Sequence, residues 1–264
     1  MPFTIVCDRS FHQPHIRLLR IRPNNLQLTI RHIFVSLANM SWIDSFLPEY
    51  LRQSLYARVE PTVRTIANHL NDGNLTAVDS HSGELVVSEL ARQGVVNRYG
   101  YLDIPIGELI ATQVAQNPGF DFYSVNLNDI ILFGESKYVA ARTAHNDALK
   151  QIVNFKRDQK DDKDLVTVHP FVPEGRRNAF VNYNNGQKGY IAAFAAKNES
   201  DDELITKIQA NAYFLQLYLE PHNNQKQSEI SKRKSLITNT FYKLTLFGCF
   251  LSLPKFPHIF DTYF

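Results

Sequence analysis

Cysteine is nearly absent from these 264 residues: Cys7 and Cys249 stand far apart with no Cys-x-x-Cys pair. That excludes a disulfide framework and a thiolate zinc site. No GxxxxGK[ST] loop is present, so hydrolysis of nucleotides by a P-loop mechanism is ruled out, as is a Gly-x-Ser-x-Gly nucleophile elbow. None of the nine histidines falls in an HExxH or His-x-His arrangement, which points them to surface or core roles rather than metal ligation. Long apolar runs are missing too. The most apolar stretch, 236–260, is broken by Lys243, Pro254, Lys255 and Pro257 and fails as a membrane span. The opening MPFTIVCDRSFHQPHIRLLR lacks the uninterrupted apolar segment of a secretory signal, so a cytoplasmic location and no membrane partner are expected.

What is present is globular: 44% hydrophobic and 20% charged residues, with 12 Tyr and 18 Phe, enough for one large domain or one domain with an extension. The net charge of +2 is too small to announce a nucleic-acid binder, but its distribution is uneven. Residues 1–70 carry +4 and no lysine, 71–136 carry −7, 137–221 carry +1 and 222–264 carry +4. Two readings stay open: chance clustering on solvated faces, or an acidic cation site flanked by surfaces that receive a polyanion.

Partial period-two alternation from His15 to Leu37, around Pro23-Asn24-Asn25, predicts a strand pair. Residues 42–57 and 61–71 read as helices, with Pro48 and Pro61 near starts or breaks, and Asp72-Gly73-Asn74 closes an N-terminal strand and helix subdomain at 1–75. A core at 76–221 then begins with a helix from about His81 to Gln93, capped by Asp79, and an extended segment to Ile106. A helix over 106–116 follows, stopped by Asn117-Pro118-Gly119. The apolar runs 120–125 and 130–139, separated by Asn126-Leu127-Asn128-Asp129, predict a hairpin. Residues 143–157 read as a helix that Asp158–Asp164 ends or extends, 165–172 fits a strand or a helix continuation, Gly189–Ala196 a buried strand, and Ser200 caps a last helix. The succession indicates a mixed α/β fold, a mixed sheet flanked by helices, with no internal repeat and a basic, aromatic extension at 222–264. Within that extension Ser231-Lys232-Arg233-Lys234 fits phosphate contact or a solvated helix face, and Phe241–Phe264 a docking or core-completing segment.

One group stands apart. The run Ile130–Phe133 ends in Glu135 and Lys137, two opposite charges at i, i+2 on one face of a strand. Charges at the end of a core strand are normally paired or bound to a metal, because burying one unpaired costs several kcal/mol. If the hairpin loop holds an odd number of residues, the paired positions sum to 256 and Asp121 lies opposite Glu135, with Cβ atoms about 4.5–5.5 Å apart. A two-residue loop would turn Asp121 away. Two carboxylates that close repel, and a hard divalent cation such as Mg²⁺ relieves the repulsion. Lys137, the first lysine in the chain, then stands where an ammonium steers water or neutralises charge at phosphorus. The same residues would also make a plain Glu–Lys strand salt bridge in an unrelated α/β protein.

The acid-bearing helix, Gly119-Phe120-Asp121, Glu135-Ser136-Lys137 and the helix Gln151-Ile152-Val153-Asn154-Phe155, in this order over roughly 79–200, resemble the PD-(D/E)xK superfamily of nucleases, the restriction-endonuclease-like fold. Phe120 replaces the proline that names the family. The resemblance implies Mg²⁺, with Mn²⁺ as a substitute, on Asp121, Glu135 and the Ser136 carbonyl, and Lys137 activating water for hydrolysis of DNA phosphodiesters. It implies a further acid from the preceding helix, Glu84 with Glu89 as competitor, and a contact to the site from Gln151, as in the RecB-like branch. Ser82-Gly83-Glu84 together with Phe133-Gly134-Glu135-Ser136-Lys137 is also similar to the nuclease subunit of Hachiman-type anti-phage systems, which implies antiviral defence beside a helicase. A catalytically silent member of the same fold, binding DNA or scaffolding a complex, is the rival expectation.

Overall fold

The computed structural model describes residues 3–46, 49–71, 80–110, 119–138, 143–195, 199–218 and 243–249. The loop at 72–74, the helix positions 111–116, the strand end at 139 and the basic run at 231–234 lie outside them, as does the tail apart from 243–249.

Strands β1 (Phe3–Phe11) and β2 (Gln13–Pro23) pair antiparallel. The second half of the expected strand pair is instead helix α1 (Leu26–Ala38). Its buried residues Thr29, Ile30, Ile33, Phe34 and Leu37 recur at three- and four-residue intervals, and Asn25 caps it by accepting from the Leu28 N–H at 3.0 Å. Local alternation loses to helical periodicity, and β2 finds its partner upstream. A 3₁₀ turn at Met40–Trp42 leads to α2 (Ile43–Phe46) and α3 (Glu49–Asn71), which runs through Pro61 without a break.

Helix α4 (Ser80–Tyr99) extends six residues past the expected Gln93. It stops at Gly100, whose φ of 65° is the left-handed conformation of a helix C-terminus. Residues 101–106 run extended along β3, with the Leu102 N–H donating to the Val125 carbonyl at 2.9 Å, and enter the short α5 (Gly107–Ile110). The predicted hairpin is β3 (Phe122–Val125) and β4 (Ile131–Lys137). Then come α6 (Ala144–Arg157), α7 (Lys160–Val168), two 3₁₀ turns, α8 (Asn178–Asn184), β5 (Lys188–Ala195), α9 (Asp201–Gln209) and β6 (Lys243–Cys249). The Ser200 side chain and Glu203 form a capping box on α9, as the sequence predicts.

These strands make one mixed sheet in the order β1-β2-β6-β5-β4-β3. The two outer hairpins are antiparallel, and β6 lies parallel to both β2 and β5 at the centre. The fold is therefore mixed α/β, and its three sequence segments contribute to a single sheet. Helix α4 packs on β3, β4 and β5, and α6 on β4 and β5, so the end of β4 is flanked by both. Among the described residues no helix is long and apolar enough to cross a membrane.

Candidate active site

The β3–β4 register decides whether the two acids meet. Phe122 pairs with Gly134, Tyr123 with Phe133, Ser124 with Leu132 and Val125 with Ile131, so each pair sums to 256. The loop has the odd length this requires. Asn126 Oδ1 accepts from the Asn128 and Ile130 N–H groups, and Asp129 takes a positive φ of 54°. The ladder stops at the Phe122–Gly134 pair: the Asp121 N–H donates to the Gly134 carbonyl at 2.8 Å, one off the 256 sum, so Asp121 reaches the end of β4 without the direct pairing to Glu135 that the register alone predicts.

The side chains then settle on protein donors. Asp121 Oδ2 accepts from the Ser136 N–H at 2.6 Å and from its hydroxyl at 2.7 Å. Ser136 Oγ also meets Ser88 Oγ of α4 at 2.5 Å. Lys137 Nζ donates to Glu135 Oε1 at 2.8 Å and reaches Glu84 Oε1 at 3.5 Å. Glu84, Asp121, Glu135, Ser136 and Lys137 are thus brought together. The competitor Glu89 lies elsewhere, buried against Arg92 and Gln93. Gln151 is half-buried on α6, one turn before Phe155, and makes no hydrogen bond to the acids or Lys137.

Close packing sets these positions. A Cβ on Gly83 would run into the ring of Tyr138, so this glycine lets the end of β4 press against α4 beside Glu84. Gly119 does the same for Asp164 of α7, whose carboxylate accepts from the Phe120 N–H and the Tyr123 hydroxyl, both at 2.8 Å. Phe120 therefore stands where a proline could not: proline has no N–H to give Asp164. Its ring packs on Phe155, Phe133 and Tyr190, with centroids 5.0, 5.2 and 6.0 Å away.

Sequence reasoning missed one acid. Glu108 opens α5, next to Gly107, whose N–H donates to the Asp121 carbonyl at 2.6 Å. Burial first, and then the charge of Asp121, push the Glu108 carboxyl up to about 8. Nothing local marks it, because only the backbone bond from Gly107 carries it to the site. The Asp121 and Glu135 carboxyls are also raised by burial, and Asp121 adds to the effect at Glu135. Burial works against the Lys137 ammonium, but Glu135, Asp121 and Glu84 outweigh it and hold its value above the usual one. Lys137 is placed as a donor to Glu135 and Glu84.

Four carboxyl groups thus gather beside one ammonium, which bonds two of them, and two of their oxygens have nothing to bond. Glu135 Oε2, on a side chain of 0% exposure, and Glu108 Oε2 are both sealed from solvent without a hydrogen-bond partner. An all-oxygen donor set with orphaned buried oxygens fits a hard divalent cation. Among the described residues no three His, Cys, Asp or Glu side chains are already drawn together as a metal cage.

The basic flank is largely paired within the protein. Of the eight arginines in 1–70, Arg9, Arg17, Arg20, Arg52 and Arg64 each meet an acid, three of them Asp202, Asp8 and Asp201. Arg9 and Arg20 thereby tie the first hairpin to the first turn of α9. The chain matches no protein-family model and no curated protein sequence.

Proposed function

We propose that this chain is a metal-dependent nuclease that hydrolyses DNA phosphodiester bonds. The observation that carries the proposal is the Glu135 carboxylate: fully buried, one residue before the Ser136 that holds Asp121, bonded to Lys137 through one oxygen and to nothing through the other. A buried charge left half-satisfied is costly, and such groups gather where a ligand completes them. The succession of α4, the β3–β4 hairpin, α6 and the parallel strand β5 supports a restriction-endonuclease-like core.

Asp121, Glu135 and the Ser136 carbonyl would hold Mg²⁺ or Mn²⁺, which when bound supplies Lewis-acid polarisation of a phosphate oxygen. Lys137, kept protonated and oriented by Glu135 and Glu84, would donate to the attacking water or to a phosphate oxygen and neutralise charge that builds there. Ser136 and Ser88 would fix the Asp121 carboxylate, and Glu84 would hold Lys137 from α4. A role in antiviral defence, a helicase partner and a cytoplasmic setting belong to the same proposal, through the Hachiman-like residues.

A second reading has its own support. Asp121 accepts two bonds from Ser136 through Oδ2, and Glu135 is already bonded to Lys137, as in a structural network of a silent, DNA-binding or scaffolding subunit. Digestion of linear and circular DNA by the purified chain with Mg²⁺, Mn²⁺ or EDTA separates the two. Cleavage that needs metal and vanishes in folded Glu135→Ala and Lys137→Ala proteins supports the nuclease. Folded wild-type protein that binds DNA but leaves it intact with either metal supports the silent subunit.

A further inference from the structure

Glu108 has no place in the motif that led to the site, yet its surroundings are those of a ligand-binding carboxylate. It lies in the first turn of α5 with its Oε2 closed off from solvent and unpartnered, and its neighbour Gly107 is bonded to the backbone of Asp121. A Cβ on Gly107 would press on the carbonyls of Phe120 and Asp121, so α5 is seated directly against the turn that bears Asp121. Lys137 donates to Glu135 Oε1 and reaches Glu84 Oε1, Asp121 is bonded through its backbone to Gly107, and the two orphaned oxygens belong to Glu135 and Glu108. A divalent cation with oxygen-seeking chemistry completes buried oxygens left in this way.

From this arrangement we infer that Glu108 is a further cation-binding residue, gripping a divalent metal together with Asp121 and Glu84 on the α5 side of the site. The inference rests on the metal-dependent reading above and adds to it a ligand from outside the hairpin. An acid on α5 ties the metal to the segment 101–110, which runs along the free edge of β3.

Mn²⁺ binding by the full chain, followed through the paramagnetic resonance of the free ion, tests it without any activity. Glu108→Gln is expected to weaken Mn²⁺ binding by about tenfold or more, the range seen when a metal's supporting carboxylate is lost, with unchanged circular dichroism. Wild-type affinity in folded Glu108→Gln protein overturns the inference. The broader reading still stands in that case if Glu135→Gln loses binding, and falls if wild-type protein binds no Mn²⁺ at all. Should Glu108→Gln fail to fold, Glu108→Asp serves: one methylene shorter, it is expected to bind Mn²⁺ more weakly, and unchanged affinity there overturns the inference equally.

Discussion

The ring of Tyr138 occupies the space that a side chain on Gly83 would need. Glycine inside a helix ordinarily costs about 1 kcal/mol against alanine, so Gly83→Ala should stabilise α4 in isolation. The contact reverses that sign, because the new methyl would meet the root of the Tyr138 ring as well as its rim. Gly83→Ala is expected to lower the Tm and to loosen Glu84 from Lys137. Adding Tyr138→Ala should return much of the lost stability, and purely additive effects in the double mutant would refute the contact.

Lys137 neutralises a carboxylate that has no access to water. In metal-free buffer, Lys137→Met is expected to cost about 1–3 kcal/mol of unfolding free energy, the penalty for a buried carboxyl that loses its hydrogen-bond partner and takes up a proton instead. Glu135→Gln keeps an oxygen for Lys137 and should stay close to wild type. Combining the two should therefore be milder than Lys137→Met alone. Urea unfolding in EDTA measures all three, and a Lys137→Met protein as stable as wild type would remove the neutralising role.

The hairpin was legible because it rests on local signals, apolar runs around an Asn/Asp loop, whereas its register stayed open in the sequence, since the loop length that sets it has no residue mark of its own. Glu84 was reached only through the family resemblance, with Glu89 as its competitor on the same helix. Glu108 was hidden, since α5 is only four residues long and reaches the site through a backbone bond. The strand expected over 26–37 misled because Leu26, Leu28, Ile30 and the residues beyond fit both periods over a short window, and burial of Ile33, Phe34 and Leu37 settles the matter for a helix. The central place of β6 is a parallel pairing over long range, for which a sequence carries no local mark.

Asp8 provides the pH test, away from the site. Burial would raise its carboxyl, but hydrogen bonds from Arg17, Arg98 and Tyr99 outweigh burial and hold it below its ordinary value. A carboxylate lowered in the folded state stabilises the protein above its unfolded pKa, and that contribution is lost as pH falls through the folded one. Asp8→Asn should therefore cost about 2 kcal/mol at neutral pH. The gap to wild type should close below about pH 4. A gap that stays constant down to pH 2 would contradict the assignment.

Strand β6 joins two pieces of sheet that otherwise share no ladder, with Thr245 aligned to Arg17 on one side and Ile191 on the other. Proline in a central strand removes a ladder donor, so Thr245→Pro is expected to cost about 3 kcal/mol or more. Limited proteolysis should then cut the β1–β2 hairpin before the β3–β4 hairpin. Equal protection of both would show that β6 is not what holds the first hairpin in place.

The same strand sets a timetable for the newborn chain. Residues 3–23 leave the ribosome before their inner neighbour in the sheet, which is made more than 200 residues later, so this edge must wait uncovered in between. Long-range parallel pairing of this kind closes slowly and leaves strand edges open to wrong partners in the meantime. The half that carries Asp121 and Glu135 has its own strand neighbours by residue 195 and can take shape well before the rest is stitched to it.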